Sequence, residues 1–506
     1  MKRILAIFLC ALFLAGCAAE QTSYQPTGDA LIYDEDYTGP IATRPEEESD
    51  QELILTYYPD QSMHPYTSVD YTNRALFSLI YQSLFTVDRD YTVEPMLCKQ
   101  YSVSADMRTY TFYLEDATFS DGSRLSANDV VESLLAAKES AVYGGRLQYV
   151  QQVSASGSAV VVQLSTACEN LPILLDIPIV KAASLEQAVP LGTGPYVFTA
   201  DSLRRRTDWW CRGEMQVTAS VIKLVRAESN TQIRDQFEFA DLDLVCADPG
   251  SDRYVDYRCD YELWDCENGI FLYLTFYRGS KVFSDPEVRA AVTHAVDRDA
   301  LVADYYRGFA RSATLPASPQ SPYYSHVLAS KYTYDPQEFA QTISDKGLKD
   351  SPVILLVNSG DSLRLRVARA IAEMLTEGGL AVEIQALSAE ECRQTLLYRN
   401  YDIYLGQTKL SPNMDLSAFF SENGALSYGG VNDVGAYSLC LQALENHGNY
   451  YTLHQNIMEN GLLCPILFRS YSIYATRGLL TGLTPSRDNI FYYSLGKTME
   501  QALRAQ

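Results

Sequence analysis

Short β-rich runs alternate with amphipathic helical segments along most of this chain, and this alternation constrains the fold more than any other sequence feature. Alternating strands and helices imply mixed α/β sheets in several lobes. Strands are predicted at 52–58, 110–114, 159–164, 196–198, 221–225, 242–245, 353–357 and 382–384. Apolar residues at helical spacing predict helices over 73–85, 130–138 and 363–375.

Three helix starts are marked by capping chemistry. Ser126 precedes an apolar run with Asp129 in its first turn, an arrangement close to a capping box. In the sequence Asp285-Pro286-Glu287 an acidic cap is followed by proline at the first helical position, where its missing N–H is harmless. Asp297 is predicted to cap a second, shorter helix.

The charge balance excludes one large class of function. The chain has 506 residues and a formal net charge of −23, with 47% hydrophobic residues. Such a chain can bury a sizeable core, and its length allows roughly two to four domains. Nucleic-acid binding needs basic stripes that meet phosphates, and this acidic sequence has none.

The first seventeen residues predict export. Lys2 and Arg3 precede an apolar run from Ile4 to Leu14, which is shorter than the roughly 20 residues that span a membrane. The run ends in Leu14-Ala15-Gly16-Cys17, which resembles a bacterial lipobox. We expect cleavage before Cys17, lipid on Cys17, and attachment to the outer face of the cytoplasmic membrane, or facing the periplasm, through this lipid alone.

The next segment, 18–50, is predicted to be a flexible acidic tether. It holds nine acidic residues and one basic residue, Arg44, without sustained apolar periodicity. Such a segment cannot bury enough apolar surface to offset its ordering entropy.

The cysteine and histidine patterns predict no metal site. Of eleven cysteines, Cys10 leaves with the signal peptide and Cys17 takes lipid, so an odd number remains and at least one thiol is unpaired. No CxxC pair is present, and His447 and His454 are predicted to be surface residues, too far apart on one helix to share a metal.

Enzyme signatures are missing as well. The chain contains no HExxH, no GxSxG elbow, no dinucleotide loop and no complete Walker A pattern. We therefore predict no catalytic residues and no cofactor.

Three stretches resemble the signatures of family 5 extracellular solute-binding proteins, the oligopeptide, dipeptide and nickel receptors of ABC importers. Residues 119–131 resemble the F-S-D-G-x-x-L-x-A-x-D-V signature, and residues 192–196 resemble the G-T-G-P-Y turn. Residues 283–298 resemble the F-x-D-x-x-V-R helix that ends in A-I-D-R. Their chemistry is structural: Asp121-Gly122 suits a tight turn, and Gly192 and Gly194 are expected to allow unusual backbone angles.

The resemblance implies an α/β, two-lobed, periplasmic-binding-protein-like fold (type II, cluster C) with an extra inserted subdomain. The implied ligand site is the cleft between the lobes, which hinge closure buries. The expected segments are 51–85, 176–266 and 467–506 for lobe 1, 86–175 for the inserted subdomain, and 267–466 for lobe 2.

The same resemblance selects candidate ligand-binding residues by position. They fall near the family's S-L-D-P segment, before its Asp-Pro helix, and in its G-W-x-x-D region. The candidates are Val69, Asp70, Tyr71, Tyr277, Gln407, Thr408 and Lys409. The Asp that peptide receptors use to hold the ligand's amino terminus is absent here, and Lys409 would attract a carboxylate or phosphate if it faces the cleft.

These observations favour a lipid-anchored substrate-binding component of an ABC importer that captures peptides or peptide-like solutes and delivers them to a permease with its ATPase subunits. N-acetylated or anionic solutes are expected to bind at least as well as free-amine peptides. The alternatives are a surface receptor or adhesin that kept the fold without transport, and an extracellular hydrolase, against which the missing enzyme signatures speak.

Overall fold

The computed structural model describes residues 53–211, 214–215, 219–247, 257–428, 433–476, 483–491 and 493–494. The predicted signal peptide, Cys17 and the 18–50 tether lie outside this range. The strands are β1 (Leu53–Tyr57), β2 (Phe85–Val87), β3 (Val93–Pro95), β4 (Cys98–Val103), β5 (Thr109–Leu114), β6 (Val150–Ser156), β7 (Ala159–Leu164), β8 (Tyr196–Thr199), β9 (Ser202–Arg205), β10 (Glu214–Met215), β11 (Val221–Arg226), β12 (Leu244–Ala247), β13 (Glu262–Phe276), β14 (Ala310–Ser312), β15 (Pro352–Asn358), β16 (Ala381–Leu387), β17 (Ile403–Lys409), β18 (Cys464–Ala475) and β19 (Tyr493–Ser494).

The helices are α1 (Tyr71–Arg74), α2 (Phe77–Ile80), α3 (Ala127–Glu139), α4 (Asn230–Glu238), α5 (Pro286–Ala295), α6 (Arg298–Tyr306), α7 (His326–Ala329), α8 (Pro336–Asp345), α9 (Ser362–Glu377), α10 (Ala389–Tyr398), α11 (Ser417–Phe420), α12 (Val434–Glu445) and α13 (Tyr450–Glu459). Short 3₁₀ turns cover Gly144–Leu147, Leu171–Leu174, Ala182–Ser184 and His447–Asn449. No helix within the described ranges is long and apolar enough to cross a membrane.

One mixed sheet runs through the described part of the chain. Its strand order is β16-β15-β17-β13-β18-β12-β1-β11-β9-β8, and β14 pairs with β18. The two long strands at the centre connect its halves, because β18 pairs with β12 near Tyr474 while β13 pairs with β17 near Phe276. The pairing of β13 with β18 shifts register between Glu267 and Phe271, where Gly269 has a φ of 74°. These antiparallel strands are therefore the crossing between the two halves.

A separate four-stranded sheet, β4-β5-β7-β6, carries α3. The predicted capping box is confirmed: the Ser126 side chain accepts the Asp129 N–H, and Asp129 accepts the Ser126 N–H at 2.9 Å. Buried Val130 and Leu134 turn one face of α3 into the core.

The two helix starts in the 283–298 stretch are also confirmed. Asp285 caps α5 with Pro286 in its first turn, and Asp297 caps α6. Buried Val288 and Val292 pack in a core that includes β13, β15, β17 and α9.

The helix predicted over 73–85 is wrong. The segment instead contains two single helical turns, α1 and α2, and β2 begins at Phe85. The fully buried Asn73 side chain donates to the Tyr58 and Gln61 carbonyls, and the backbone becomes extended at Tyr81. Tertiary hydrogen bonds outweigh the helical apolar spacing here.

The glycines of the turn at 192–196 have a different role from the one expected. Neither Gly192 nor Gly194 has a positive φ. A Cβ at Gly192 would lie 2.1 Å from the Ile80 carbonyl oxygen, and Gly194 donates its N–H to that oxygen at 2.9 Å. Their purpose is close approach to α2. Gly122 does adopt a positive φ, 80°, as its tight turn requires.

The histidine prediction is correct for one residue and wrong for the other. His447 is exposed and contacts the Glu169 carboxylate at 2.7 Å. His454 is fully buried on α13, and burial lowers the pKa of its imidazole to about 3, which keeps the ring neutral. Free thiols are present at Cys98, Cys168, Cys246, Cys259, Cys266, Cys392, Cys440 and Cys464, so the expectation of at least one unpaired thiol is confirmed.

Candidate ligand-binding site

A pocket lies where α1, α2 and β2 meet Tyr143, residues 176–178 and residues 488–491. Its cavity volume is about 30 Å³, room for about two water-sized groups. Its lining is partly aromatic and partly charged or polar, as is usual for small-molecule sites. The lining residues are Arg74, Phe77, Ser78, Tyr81, Gln82, Ser83, Thr86, Tyr143, Asp176, Pro178, Asp488, Asn489 and Phe491.

Arg74 lies in the pocket wall between two aromatic rings. Its guanidinium carbon is 5.7 Å from the ring centre of Phe77 and 5.5 Å from that of Tyr143. It donates to the Ser68 carbonyl at 3.3 Å and to the Tyr143 hydroxyl at 3.1 Å. Cation–π contact and two hydrogen bonds fix its orientation.

Charged side chains gather beside the pocket, and we call them the charge cluster. Its members come from five segments that are distant in sequence. They are Arg74, Arg146, Asp176, Lys409, Arg487 and Asp488.

Asp488 is the centre of the charge cluster. Its carboxylate accepts from Arg146 at 2.5 Å, Lys409 at 2.5 Å and Arg487 at 3.2 Å, and its side chain is 7% exposed. These cations hold the pKa of Asp488 well below its usual range despite burial. Asp488 thus ties the end of β17 to the 3₁₀ turn at 144–147.

Lys409 faces this cluster, but it is not a free cation. Burial lowers the pKa of its ammonium group, and the contact with Asp488 opposes that shift. Its side chain keeps 39% exposure, so water limits the desolvation.

Asp176 is the second carboxylate of the charge cluster. It accepts from the Ser83 hydroxyl at 3.1 Å and from the Asn489 amide at 3.0 Å. Burial, followed by repulsion from Asp488, raises the pKa of Asp176 to about 6. Asp176 therefore carries less negative charge near neutral pH than an ordinary aspartate.

A smaller cavity lies on the other side of Arg487. Its buried Glu267 accepts from the Tyr91 hydroxyl at 2.7 Å and the Ser318 hydroxyl at 2.5 Å. Burial raises the pKa of Glu267. Glu267 belongs to the crossing strand β13, next to its register shift.

The structure places the predicted site residues in several environments. Val69 is 77% exposed. Asp70 accepts the Asn73 N–H at 3.0 Å at the start of α1, and burial raises the pKa of its carboxyl. The side chain of Tyr71 lies outside the described part. Gln407 accepts from buried Arg469 at 3.1 Å.

The candidates from β17 are grouped, but Tyr277 is separate. Gln407, Thr408 and Lys409 follow one another at the end of β17, and only Lys409 joins the charge cluster. Tyr277 follows Phe276, which pairs with Ile403 at the start of β17. Lys409, at the end of β17, pairs instead with Ile270. Six residues of strand, about 20 Å, separate the two ends.

Sequence reasoning missed most of the charge cluster: Arg74, Arg146, Asp176, Arg487 and Asp488. These residues stand in no recognisable motif, and their partners are up to 342 positions away, as for Arg146 and Asp488. One signal was available, since Arg487-Asp488 is a charged pair flanked by residues that are otherwise uncharged.

Among the residues described, no group of three or more His, Cys, Asp and Glu is placed to hold a metal ion. The charged groups contact one another or line the pocket.

The fold and pocket define a binding protein of the two-lobed type found in solute uptake. The chain matches the family model of bacterial extracellular solute-binding proteins, family 5, over residues 92–426, and it belongs to this family. The resemblance read from the three signatures is thus confirmed. Its relatives and structural neighbours are solute-binding proteins of ABC transporters, which are not enzymes.

Individual relatives are distant. The glutathione-binding protein GsiB of Escherichia coli (strain K12) is 23% identical over 350 residues, covering 65% of this chain and 68% of that protein. The substrate-binding protein CtaP of Listeria monocytogenes has a TM-score of 0.72 at 18% identity, covering 88% of this chain and 99% of that one. The oligopeptide-binding protein AppA of Bacillus subtilis, solved with a nonapeptide, has a TM-score of 0.63 at 19% identity, covering 88% and 99%. These neighbours confirm the predicted two-lobed fold.

Proposed function

We propose that this chain is the lipid-anchored substrate-binding component of an ABC importer. It captures peptides or peptide-like solutes in the cleft between its lobes and delivers them to a membrane permease. Family membership supports the transport role, and the names of relatives that bind glutathione or a nonapeptide support the substrate class. The segment boundaries expected for lobe 1, the inserted subdomain and lobe 2 are part of this proposal.

The observation that carries the proposal is the junction at Asp488. Lys409 at the end of β17 and Arg146 beside the four-stranded sheet meet the same carboxylate next to the pocket. The pocket lining comes from segments 74–86, 143, 176–178 and 488–491, and β17 reaches its edge through the Lys409–Asp488 contact. Hinge motion about the β13–β18 crossing then couples solute binding to the shape that a permease recognises.

The contacts of Asp488 support the expectation that this protein has no amine anchor. Asp488 is the carboxylate that contacts Lys409, and three cations already share it. A buried ammonium group without a partner is costly. We therefore expect N-acetylated peptides to bind at least as well as free-amine peptides. Titration calorimetry on matched pairs tests this, and a tenfold loss on acetylation, about 1.4 kcal/mol, would contradict it. Asp70→Asn then tests Asp70 as the alternative anchor.

The central experiment is mass spectrometry of the solute that co-purifies with the protein, followed by titration of that solute. Small-angle scattering should show a smaller radius of gyration with the solute than without it. At 100 times the dissociation constant the solute should stabilise the fold by about 2.7 kcal/mol. A saturating solute that causes no compaction contradicts the importer role.

Anchoring at Cys17 has its own test. Cys17→Ala should yield a protein without lipid that is released or left uncleaved, detected by membrane fractionation and mass spectrometry of the N-terminal peptide. Cys10→Ala is the matched control and should leave the anchor in place. A wild-type N-terminus without lipid contradicts anchoring.

A further inference from the structure

We infer that the pocket beside Arg74 is a carboxylate subsite, which holds a carboxylate group of an anionic, peptide-like solute. The inference rests on the proposed function and names its substrate class. It also assigns the anion-binding role to Arg74, a residue that no sequence motif marks, instead of to Lys409.

Arg74 has unused hydrogen-bonding capacity. A guanidinium has five N–H donors in a planar fork. In the described structure, those of Arg74 reach two neutral oxygens, of Ser68 and Tyr143, at 3.3 and 3.1 Å. Within the same ranges Arg74 forms no ion pair, whereas Arg146, Lys409 and Arg487 all contact Asp488. Arg74 is thus the cluster cation whose charge lacks a contacting carboxylate.

Two hydroxyl groups of the same pocket lack hydrogen-bond partners within the described residues. The Ser78 and Thr86 hydroxyl oxygens are buried and have no hydrogen-bond partner in the described structure. Ser78 itself is 9% exposed. A buried polar group without a partner is costly, so a ligand oxygen that satisfies it gains affinity.

The surroundings of Arg74 also favour an anion. Phe77, Tyr81, Tyr143 and Phe491 line the pocket with aromatic rings, which lowers the local dielectric and strengthens an ion pair. The charge cluster contains four basic side chains and only two carboxylates, those of Asp176 and Asp488. Counting the buried carboxylate of Glu267, on the other side of Arg487, still leaves more basic than acidic groups. A local positive excess in a chain of net charge −23 favours an anion at this position.

The ligand group is a carboxylate in preference to a phosphate. A planar carboxylate matches the guanidinium fork with two parallel hydrogen bonds and carries one negative charge. A phosphate carries up to two charges and would face the neighbouring Asp176 and Asp488. The cavity of about 30 Å³ admits a group of carboxylate size, so the rest of a peptide-like solute lies outside it.

The test compares matched probes on the full-length protein. Glutathione and a set of tripeptides are titrated as free acids and as amides of their C-terminal carboxylates. The wild type should bind the free acid at least tenfold more tightly than the amide. Arg74→Gln should bind both forms equally, Arg74→Lys should keep part of the preference, and Arg393→Gln, at an exposed arginine, should match the wild type.

The outcomes separate this inference from the proposed function. If a probe binds and compacts the protein while Arg74→Gln keeps the full preference for the free acid, the carboxylate subsite is wrong and the importer role stands. Displacement of the probe by inorganic phosphate more readily than by acetate also overturns the inference. If no probe and no co-purifying solute binds with compaction, the proposed function fails, and the inference fails with it.

Discussion

Two pairs of arginines in this molecule differ in their partners. Arg289 and Arg298 lie in the 283–298 signature, are buried, and donate to carbonyls of Phe283, Gly461 and Pro465. They tie helices α5 and α6 to the segment that leads into β18.

Arg74 and Arg146 instead stand beside a cavity. Arg146 meets a carboxylate that two other cations share, and Arg74 meets two neutral oxygens. The comparison teaches that an arginine saturated by backbone carbonyls serves the fold. An arginine with donors to spare beside a pocket is available to a ligand.

The largest expected effect is at the centre of the charge cluster. Asp488→Asn leaves Arg146, Lys409 and Arg487 without their shared carboxylate, and breaking such a buried contact costs about 3–5 kcal/mol. Urea unfolding followed by circular dichroism measures the free energy of unfolding. Asp304→Asn, at an exposed position, is the control and should stay within about 0.5 kcal/mol of the wild type. An Asp488→Asn loss below about 1 kcal/mol would show that the cluster does not hold these segments together.

A second variant tests the structural pair directly. Arg289→Gln removes charge-assisted hydrogen bonds to the Gly461, Phe283 and Asn460 carbonyls. The unfolding free energy should fall by about 3 kcal/mol, since such bonds contribute about 1.5–3 kcal/mol each and glutamine replaces some of them. The solute dissociation constant of the folded fraction should not change. A loss of affinity as large as that of Arg74→Gln would break the comparison.

Asp176 predicts a pH dependence. Its pKa is raised to about 6 in the folded protein, above the ordinary value of about 3.9 expected when unfolded. The folded state therefore binds more protons between pH 4 and 6, and stability from this group is lost as the pH rises through that window. The unfolding free energy of Asp176→Asn minus that of the wild type should rise by about 2 kcal/mol between pH 4 and 7. This magnitude follows because one unit of pKa shift corresponds to about 1.4 kcal/mol. A difference that is flat with pH contradicts a raised pKa.

The smallest effect concerns the signature around Asp129. Ser126→Ala removes one half of the capping box of α3 and should destabilise the protein by about 1 kcal/mol without changing solute affinity. Ser158→Ala, at an exposed turn beside β7, is the matched control. If Ser126→Ala weakens solute binding instead, the signature has a role in the site as well as in the fold.

Local chemistry made part of the fold predictable. The caps at Ser126, Asp285 and Asp297 act within three residues, so the sequence states both donor and acceptor. The prediction of a helix over 73–85 was wrong because the Asn73 side chain donates hydrogen bonds to backbone carbonyls 12 and 15 residues earlier. His454 was misplaced because its spacing from His447 says nothing about which helix face the core covers.

The sequence alone determined the family, the capped helices, the mixed α/β architecture and the expectation that the family's amine anchor is absent, because each depends on residues close together in the chain. Only the tertiary structure decided where the charges meet. Arg146 and Asp488 are 342 positions apart, and Lys409 and Asp488 are 79 apart. Ion pairs depend on distance in space and on the water that burial removes, and neither quantity is written in the order of residues.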